Sequence, residues 1–414
     1  MIKFRWETEF KETEIGEIPR DWETGKLEEA TSVDKLCSKS KSKEQHKIGF
    51  ISMENIPTDS YIPSFEIRDL ERVKSGKEVY PNSILLAKIT PSFEHGKMCI
   101  VPNINDYRWF ATTEVFSLVP KNGNITKFLF YLLKHPALRD ILENSMSGPS
   151  ERQRVQRSAL KNLIIPLPSP EEQSRIATVL SWFDDLIENK KKQNEILEKT
   201  AMAIFKSWFV DFEPFKDNEF VDSDLGKIPK GWEVKRLDDL CKIIMGQSPP
   251  SKYYNEKGSG LLFIQGKGQM GKYTPNTNIY CSKILKLAKP KDILITVRAP
   301  VGELNIADGE YIIGRGIASL RSNNWVFIYL YLLTNNGFLK AQQRGTTFEA
   351  ITKEELENFP VVIPPQSLLE KFNSLVEPLF QKIILNQKQI MVLKKVRDAL
   401  LPLLVFGKLR VEEI

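Results

Sequence analysis

Two stretches of the sequence decide how the chain is organised: TEIGEIPRDWETGKL at residues 13–27 and DLGKIPKGWEVKRL at residues 224–237. The residues that match at a constant offset of 210 are Gly16, Ile18, Pro19, Trp22 and Leu27 with Gly226, Ile228, Pro229, Trp232 and Leu237. Self-similarity at a fixed separation is the signature of an internal duplication. The chain therefore contains two copies of one structural unit.

The duplication continues beyond these openings. ILLAKITP at residues 84–91 matches ILITVRAP at residues 293–300, and YLL at residues 131–133 recurs at 331–333, at offsets of 209 and then 200. The matched pieces are mostly short apolar or β-branched runs between clusters of Gly, Pro, Asn and Ser, a pattern typical of strands and turns. The loops differ in length while the scaffold repeats, as expected of two copies that diverged in what they contact. We predict an α+β unit with a mixed sheet and a few helices in each copy.

Each copy is followed by a long helix. In the first, Ser169 is placed to cap the helix, Pro170 occupies its first position, and residues 171–212 contain neither Gly nor Pro. Apolar residues then recur with alternating spacings of four and three, which is a heptad pattern. The seam of the first helix is Ile176, Leu180, Phe183, Ile187, Lys190, Asn194, Leu197, Ala201, Ile204 and Trp208. The second helix repeats it at an offset of 196, from Phe372 to Leu404, and should bend at Pro378 and fray at Pro402.

Matched seams predict that the two helices pair with each other. An antiparallel pair relates the two mixed α/β domains by a pseudo-twofold axis, and Asn194 then faces Asn386. A buried amide pair fixes register, because a slipped pairing would leave each amide against hydrocarbon. The predicted boundaries are residues 1–168 for the first domain, 169–216 for the first long helix, 217–363 for the second domain and 364–414 for the second long helix.

Composition sets limits on the function. The 414 residues are 41% hydrophobic and 27% charged, with a net charge of +6, an ordinary globular composition that permits a polyanionic partner. The N-terminus has no apolar signal region, and the longest apolar run, near residues 400–406, is too short to cross a bilayer. We therefore expect a cytoplasmic protein with no membrane partner. The four cysteines and three histidines show neither a disulfide nor a metal-site spacing.

Catalytic and cofactor motifs are missing from the sequence. It contains no Asp or Asn before a Pro-Pro pair, no Pro-Asp dipeptide and no phosphate-binding P-loop. Gly266, Gly268 and Gly271 satisfy G-x-G-x-x-G, but a dinucleotide site requires a helix to start there, and the following Lys272 to Asn276 cannot form one. We expect a loop that faces a polyanion, and no cofactor.

Several loops carry the residue types that hold phosphates and read base edges, although such residues are often merely solvated. The DNA-contact candidates of the first copy are Lys39, Lys41, Lys43, Lys88, Arg152, Arg154 and Arg157. Those of the second copy are Gln247, Ser248, Lys252, Tyr253, Gln265, Lys267, Arg298, Arg315, Arg344 and Thr346.

These features together resemble the specificity subunits of type I restriction-modification systems. The resemblance covers essentially the whole chain and rests on the paired G-[EK]-I-P-x-x-W-E openings, the strand at Lys291 to Leu294, the P-[LS]-P-x-x-E-Q-x-x-I-like entry to the first helix (PLPSPEEQSRI, residues 166–176), and the duplicated plan. Gly246 to Pro249 fits the family's glycine and Ser/Thr-Pro loop. The equivalent stretch of the first copy, Leu36 to Lys39, does not match that loop. The resemblance therefore supports the DNA-contact candidates of the second copy better than those of the first.

The resemblance implies a non-catalytic DNA-recognition subunit that reads a bipartite, asymmetric double-stranded DNA target. It further implies two bound methyltransferase subunits, with the restriction and motor subunits attached through them. Apolar positions off the seam, namely Val179, Trp182 and Leu186, are then candidates for the subunit interface with a methyltransferase or for contacts with the chain's own domains. A two-headed DNA-binding regulator that acts alone is the alternative, and a stand-alone nuclease or methyltransferase is a third reading that the missing motifs disfavour.

Overall fold

The structure is a computed structural model that describes residues 2–35, 46–73, 75–104, 106–149, 152–335, 337 and 350–414. The strands before the first long helix are β1 Lys3–Trp6, β2 Phe10–Thr13, β3 Gly16–Pro19, β4 Glu23–Lys26, β5 Thr31–Val33, β6 Lys47–Ile51, β7 Glu66–Asp69, β8 Lys77–Val79, β9 Ile84–Ala87, β10 Met98–Ile100, β11 Arg108–Ala111, β12 Val115–Pro120 and β13 Ile164–Leu167. The later strands are β14 Phe220–Ser223, β15 Gly226–Pro229, β16 Glu233–Arg236, β17 Lys242–Met245, β18 Tyr254–Asn255, β19 Leu261–Ile264, β20 Tyr280–Cys281, β21 Leu287–Ala288, β22 Ile293–Thr296, β23 Leu304–Ile306, β24 Tyr311–Ile313, β25 Ile317–Arg321, β26 Pro360–Ile363 and β27 Leu409–Glu413. The helices are α1 Leu27–Ala30, α2 Thr126–Leu132, α3 Pro136–Asn144, α4 Arg157–Asn162, α5 Pro170–Phe209, α6 Leu237–Leu240, α7 Trp325–Thr334, α8 Lys353–Glu357 and α9 Gln366–Val405.

The chain divides into two compact units. Unit 1 consists of Met1–Glu188 and Val392–Ile414, and unit 2 consists of Asn189–Met391. Each unit contains one copy of the repeat and a part of each long helix. In unit 1 the first and last strands, β1 and β27, pair antiparallel, so the two ends of the chain are joined within one unit.

The repeated opening stretch has the same local structure in both units. Gly16 and Gly226 have φ angles of +96° and +100°, a region that favours glycine, and each ends the tight turn of a two-stranded hairpin. The backbone N–H of Trp22 then donates to the Pro19 carbonyl at 3.0 Å, and Trp232 repeats this bond with Pro229 at 3.0 Å. Both indole rings are buried in the cores of their units.

The sheets repeat as well. Unit 1 has one antiparallel sheet in the order β10-β9-β12-β5, and unit 2 has β23-β22-β25-β17 in the corresponding places. A second sheet contains a parallel pair in each unit, β6 with β11 and β19 with β24. The internal duplication and the mixed α+β class predicted from the sequence are therefore confirmed.

The first long helix begins where the sequence predicts, at Pro170. The Glu172 N–H donates to Ser169 Oγ at 3.3 Å, which supplies the cap. The Glu172 carboxylate accepts from Trp22 Nε1 at 3.0 Å and from Arg410. The start of the helix is thereby bonded to the repeated opening stretch of unit 1.

The helices pair antiparallel in each unit. In unit 2, Lys190 donates to Gln389 at 2.5 Å, and Asn194, further along α5, meets Asn386, which comes earlier in α9. In unit 1 the buried side chains of Asp184 and Arg397 form an ion pair across the helices. The predicted antiparallel pairing is confirmed within each unit.

Two details of the seam differ from the prediction. Near the end of α5 the most deeply buried side chains are Phe205 and Phe209, while Ile204 and Trp208 are only partly buried, because this end packs on the aromatic core of unit 2. The helix α9 runs through Pro378 without interruption and reaches Val405. The expected fraying at Pro402 is therefore wrong: the last turn is held by buried residues such as Leu404, and the chain then enters β27.

Candidate nucleic-acid interface

The predicted contact loops of unit 2 converge at one end of its sheets. The Gln247 N–H donates to the Ile313 carbonyl at 2.9 Å, and Ser248 Oγ accepts from the Arg315 N–H at 3.1 Å. The loop after β17 and the loop after β24 are thereby held together. The side chains of Gln247 and Arg315 are exposed.

Glycines allow further loops to reach the same place. A Cβ atom at Gly246 would lie 2.2 Å from the Gly314 carbonyl oxygen, and one at Gly316 would lie 2.3 Å from that of Gln265. Any side chain at either position would displace the backbone opposite. The Val297 N–H donates to the Gly316 carbonyl at 2.9 Å and so brings the loop that carries Arg298 into the cluster.

The charged side chains of this cluster are only partly neutralised. Lys267 forms an ion pair with Glu303 at 3.3 Å. Arg298 is exposed, and no ion pair to it is found among the described residues. The predicted candidates Lys252 and Tyr253 lie next to each other, with the ammonium 5.3 Å from the ring centre. Lys283, which sequence reasoning missed, lies at the same distance from that ring.

The glycine-rich motif does not open a helix. Residues Lys267–Gln269 form a short 3-10 turn, after which Met270 pairs with Pro275 in an isolated bridge. This geometry agrees with the interpretation of the segment as a loop.

Unit 1 carries a corresponding cluster with different side chains. Arg154 donates from Nε and Nη2 to the two carboxylate oxygens of Glu114, at 3.1 and 3.0 Å. Lys88 Nζ lies 4.0 Å from the same carboxylate. The hydrogen bonds from Arg154, and the positive charge of Lys88 as well, hold the pKa of Glu114 below its ordinary value. Glu114 is therefore a carboxylate among cations.

A second ionic group lies close to the first. Lys77 donates to Asp34 at 2.5 Å and to the Val115 carbonyl at 2.6 Å. Arg157 donates to the Val33 carbonyl at 2.9 Å, and its Nε lies 4.0 Å from Asp34. Burial lowers the pKa of Lys77, and the nearby positive charges act in the same direction, although the Asp34 partner opposes them. These contacts place a partly desolvated lysine beside the predicted Arg157.

Sequence reasoning located the arginines of unit 1 but not the acidic residues that hold them. Glu114 directly precedes β12, and a carboxylate next to the apolar run VFSLV is the signal that could have drawn attention to it. Arg152 is exposed. Of the remaining candidates, Lys39, Lys41 and Lys43 fall in residues 36–45, and Arg344 and Thr346 fall in residues 338–349, so both groups lie outside the described residues.

The amide pair on the long helices is in contact. Asn386 Nδ2 donates to Asn194 Oδ1 at 2.8 Å, and both side chains are fully buried. A role of this pair in fixing register stays a prediction.

The candidates for the subunit interface separate into two kinds. The side chains of Trp182 and Leu186 are 44% and 45% exposed on the outer face of α5. Val179 is 1% exposed and belongs to the core of unit 1, so of the two predicted alternatives it contacts the chain's own domain and does not lie at a subunit interface. The reason is local: the end of α5 that lies in unit 1 is packed on more than one side, and a position off the seam can still face the core.

Two further properties bear on the site. No helix among the described residues is long and apolar enough to cross a membrane. In the same part of the chain, no group of three or more His, Cys, Asp or Glu side chains is arranged to hold a metal ion.

Comparison with known proteins identifies the family. Residues 19–199 and 229–395 match the family model described as type I restriction modification DNA specificity domain. The chain is 39% identical to the type I restriction enzyme MjaIX specificity subunit of Methanocaldococcus jannaschii, over 100% of this chain and 99% of the relative. It is 23% identical to the type I restriction enzyme HindI specificity subunit of Haemophilus influenzae, over 80% of this chain and 88% of that one.

A solved structure supports the same fold. The S subunit of the type I restriction-modification system from M. genitalium is 19% identical, covers 93% of this chain and 96% of its own, and superposes with a TM-score of 0.60. The two family-model matches coincide with the two copies of the repeat, and a whole-length relative shares more than a third of the residues. The chain belongs to the family of type I restriction-modification DNA specificity subunits.

Proposed function

We propose that the two copies of the repeat each recognise one half of a bipartite, asymmetric DNA target. As a specificity subunit the chain supplies DNA recognition, and methylation and cleavage belong to the methyltransferase and restriction subunits with which such subunits assemble. Residues 1–168 and 217–363 are the proposed recognition domains, and the long helices, at 169–216 and within 364–414, connect them.

The observation that carries this proposal is the pair of equivalent loop clusters. Each lies where an inner strand of the equivalent antiparallel sheet ends, after β9 in unit 1 and after β22 in unit 2. Their side chains differ: unit 1 presents Lys88 and Arg154, and unit 2 presents Arg298 and Arg315. A shared scaffold with different polar side chains is what two readers of different base sequences require.

The partner surface is proposed on the outer face of α5. Trp182 and Leu186 are large apolar side chains four residues apart on one helix face, and such exposed pairs are typical of interface anchors. Because the repeat is double, we propose two methyltransferase subunits per chain, with the restriction and motor subunits bound through them. The complex would act in the cytoplasm, where the target DNA is.

The decisive experiment is an exchange of one domain. Residues 1–168 are replaced by those of another specificity subunit, the chimera is expressed with its methyltransferase, and methylated bases are mapped across a genome. We expect one half of the bipartite target to change and the other half to stay as it was.

The reciprocal exchange of residues 217–363 serves as the matched control, and it should alter only the opposite half. If either exchange alters both halves together, the two units do not read DNA independently and the proposal fails.

A further inference from the structure

Both loop clusters contain an isolated antiparallel bridge between two residues, and the arginine of this bridge lies on a different strand in each unit. In unit 1, Ile89 and Arg154 form an isolated antiparallel bridge, and in unit 2, Arg298 and Ala350 form the corresponding one. Each unit thus has a single arginine at this bridge. It stands on one strand of the bridge in unit 1 and on the opposite strand in unit 2.

The hydrogen bonds around the bridges establish that they are equivalent. The residue after Arg154 donates to the Lys88 carbonyl at 2.8 Å, and the residue after Ala350 donates to the Val297 carbonyl at 2.9 Å. The N–H of Lys88 donates to the carbonyl of Glu114 at 3.1 Å, just as the N–H of Val297 donates to Gly316 at 2.9 Å. Glu114 and Gly316 therefore occupy the same place in the two units.

The two arginines differ in how they are held. Glu114 engages the Nε and Nη2 edge of the Arg154 guanidinium with two hydrogen bonds. A guanidinium has five N–H donors, so the edge formed by Nη1 and Nη2 keeps a two-donor fork for another partner. In unit 2 the place of Glu114 is taken by Gly316, where a Cβ would meet the Gln265 carbonyl oxygen at 2.3 Å. Unit 2 thus cannot hold its arginine in this way.

A fixed two-donor fork matches one base in the major groove. Guanine presents its O6 and N7 atoms side by side as acceptors, and a bidentate arginine is the commonest specific contact to it. We propose that Arg154, positioned by Glu114, reads a guanine in the half-site bound by unit 1. This assignment rests on the function proposed above and adds a residue and the base that it recognises.

The test uses the specificity subunit in complex with its methyltransferase, and the readout is the methylated motif in genomic DNA. In the wild type, the half-site bound by unit 1 should contain at least one specified G·C pair. The variant Arg154→Ala should relax the specificity for one such pair in a single half-site. The preference for G·C over other base pairs at that position should fall by about tenfold to hundredfold. The variant Arg298→Ala, which changes the arginine of the other unit, should leave that pair unchanged.

The variant Glu114→Gln distinguishes a role of Glu114 in positioning the Arg154 guanidinium from a role in the stability of the fold. The variant keeps the size of the side chain but loses the carboxylate that holds the guanidinium, so it should relax the same base pair as Arg154→Ala, to a smaller extent. A merely structural effect would lower methylation at all sites alike and reduce the melting temperature. Glu28→Gln is the matched control, because Glu28 forms a comparable ion pair with Lys161 at 3.3 Å in the same unit; it should leave the motif unchanged.

Two outcomes overturn the inference while leaving the proposed function intact. One is a bipartite motif with no specified G·C pair in the half-site that exchange of residues 1–168 alters, and the other is an Arg154→Ala complex that methylates the unchanged motif with unchanged discrimination. An Arg154→Ala change that relaxes both halves, by contrast, counts against independent reading by the two units, as the domain exchange would also reveal.

Discussion

At the scale of single residues, Asn194 and Asn386 form a hydrogen bond, but burying this pair of amides also destabilises the fold. One hydrogen bond joins the amides, but Asn194 Nδ2 and Asn386 Oδ1 are buried without a partner among the described residues. A buried polar atom that has lost its hydrogen bond to water destabilises the fold by about 1–3 kcal/mol. The pair is therefore better explained by register than by stability.

Exchanging both amides for leucine tests this explanation. Asn194→Leu with Asn386→Leu should raise the melting temperature of the chain and loosen the spacing of the methylated target. Either single exchange should instead lower the free energy of unfolding by about 1–3 kcal/mol, because the remaining amide then faces hydrocarbon. Thermal unfolding of the three variants measures the difference. Single variants as stable as the double one would contradict a paired role.

Arg410 is a second residue whose environment makes a measurable prediction. It bonds Glu7 at 2.6 Å, both oxygens of Glu172 at 2.5 and 2.8 Å, and Asp21 at 3.0 Å. Its hydrogen bonds lower the pKa of Asp21. Burial opposes ionisation of Glu7, but N–H groups of Glu9 and Thr8 and the Arg410 side chain together lower its pKa. The cluster joins both ends of the chain to the start of α5.

The direction of the pH effect follows from these shifts. A carboxyl whose pKa is lower in the folded state stabilises the fold above its unfolded pKa, and this contribution is lost as the pH falls through the folded value. The free energy of unfolding should therefore decrease on acidification below about pH 4. Arg410→Met should cost about 3–5 kcal/mol at neutral pH, since it leaves buried carboxylates unpaired, and should weaken the acid dependence. Denaturant titrations at neutral and acid pH measure both effects, and an equal slope in the two proteins would count against the cluster.

At the scale of elements, the helix α5 presents two opposite environments within one turn. Val179 lies in the core of unit 1, while Trp182, three residues further along the helix, is exposed. The heptad seam predicts neither the burial of Val179 nor the exposure of Trp182, because it describes only the face directed at the second helix. The domain packed against this end of α5 buries additional positions.

This contrast supplies a matched pair of variants. Trp182→Ala should leave the free energy of unfolding within about 0.5 kcal/mol of the wild type but weaken assembly with the methyltransferase. Val179→Ala should instead cost about 1–3 kcal/mol of stability through the cavity that it creates, with assembly of the folded protein unchanged. Calorimetric unfolding and titration with the purified methyltransferase separate the two effects. Unchanged affinity of the Trp182→Ala chain would place the partner surface elsewhere.

At the scale of the whole molecule, the length of the paired helices should set the gap between the half-sites. One additional heptad in both α5 and α9 preserves the seam and adds about 10 Å of helix, equivalent to roughly three base pairs. We expect the spacer of the methylated target to lengthen accordingly. The control is a heptad added to one helix only, which disrupts the pairing. A double insertion that methylates the original spacer would refute this mechanism.

The sequence by itself determined the duplicated plan, the α+β class, the start of α5 at Pro170 and the antiparallel pairing of the helices. These features follow from patterns in the sequence, namely capping chemistry, the heptad spacing and the repetition of one stretch after 210 residues. Such patterns can be recognised without knowing any tertiary contact, so a single sequence contains them. The arginines of the contact loops could also be predicted from the sequence, because arginine is a residue type that binds phosphates and base edges.

Only the tertiary structure decided which acidic residues hold those arginines and which helix positions are buried. Glu114 meets Arg154 across 40 positions of sequence, and Arg410 meets Glu7 across 403. Contacts of this kind depend on how sheets and helices fold onto each other, which no local spacing records. The same reason explains Val179 and the stable last turn of α9, since both are buried by segments distant in sequence.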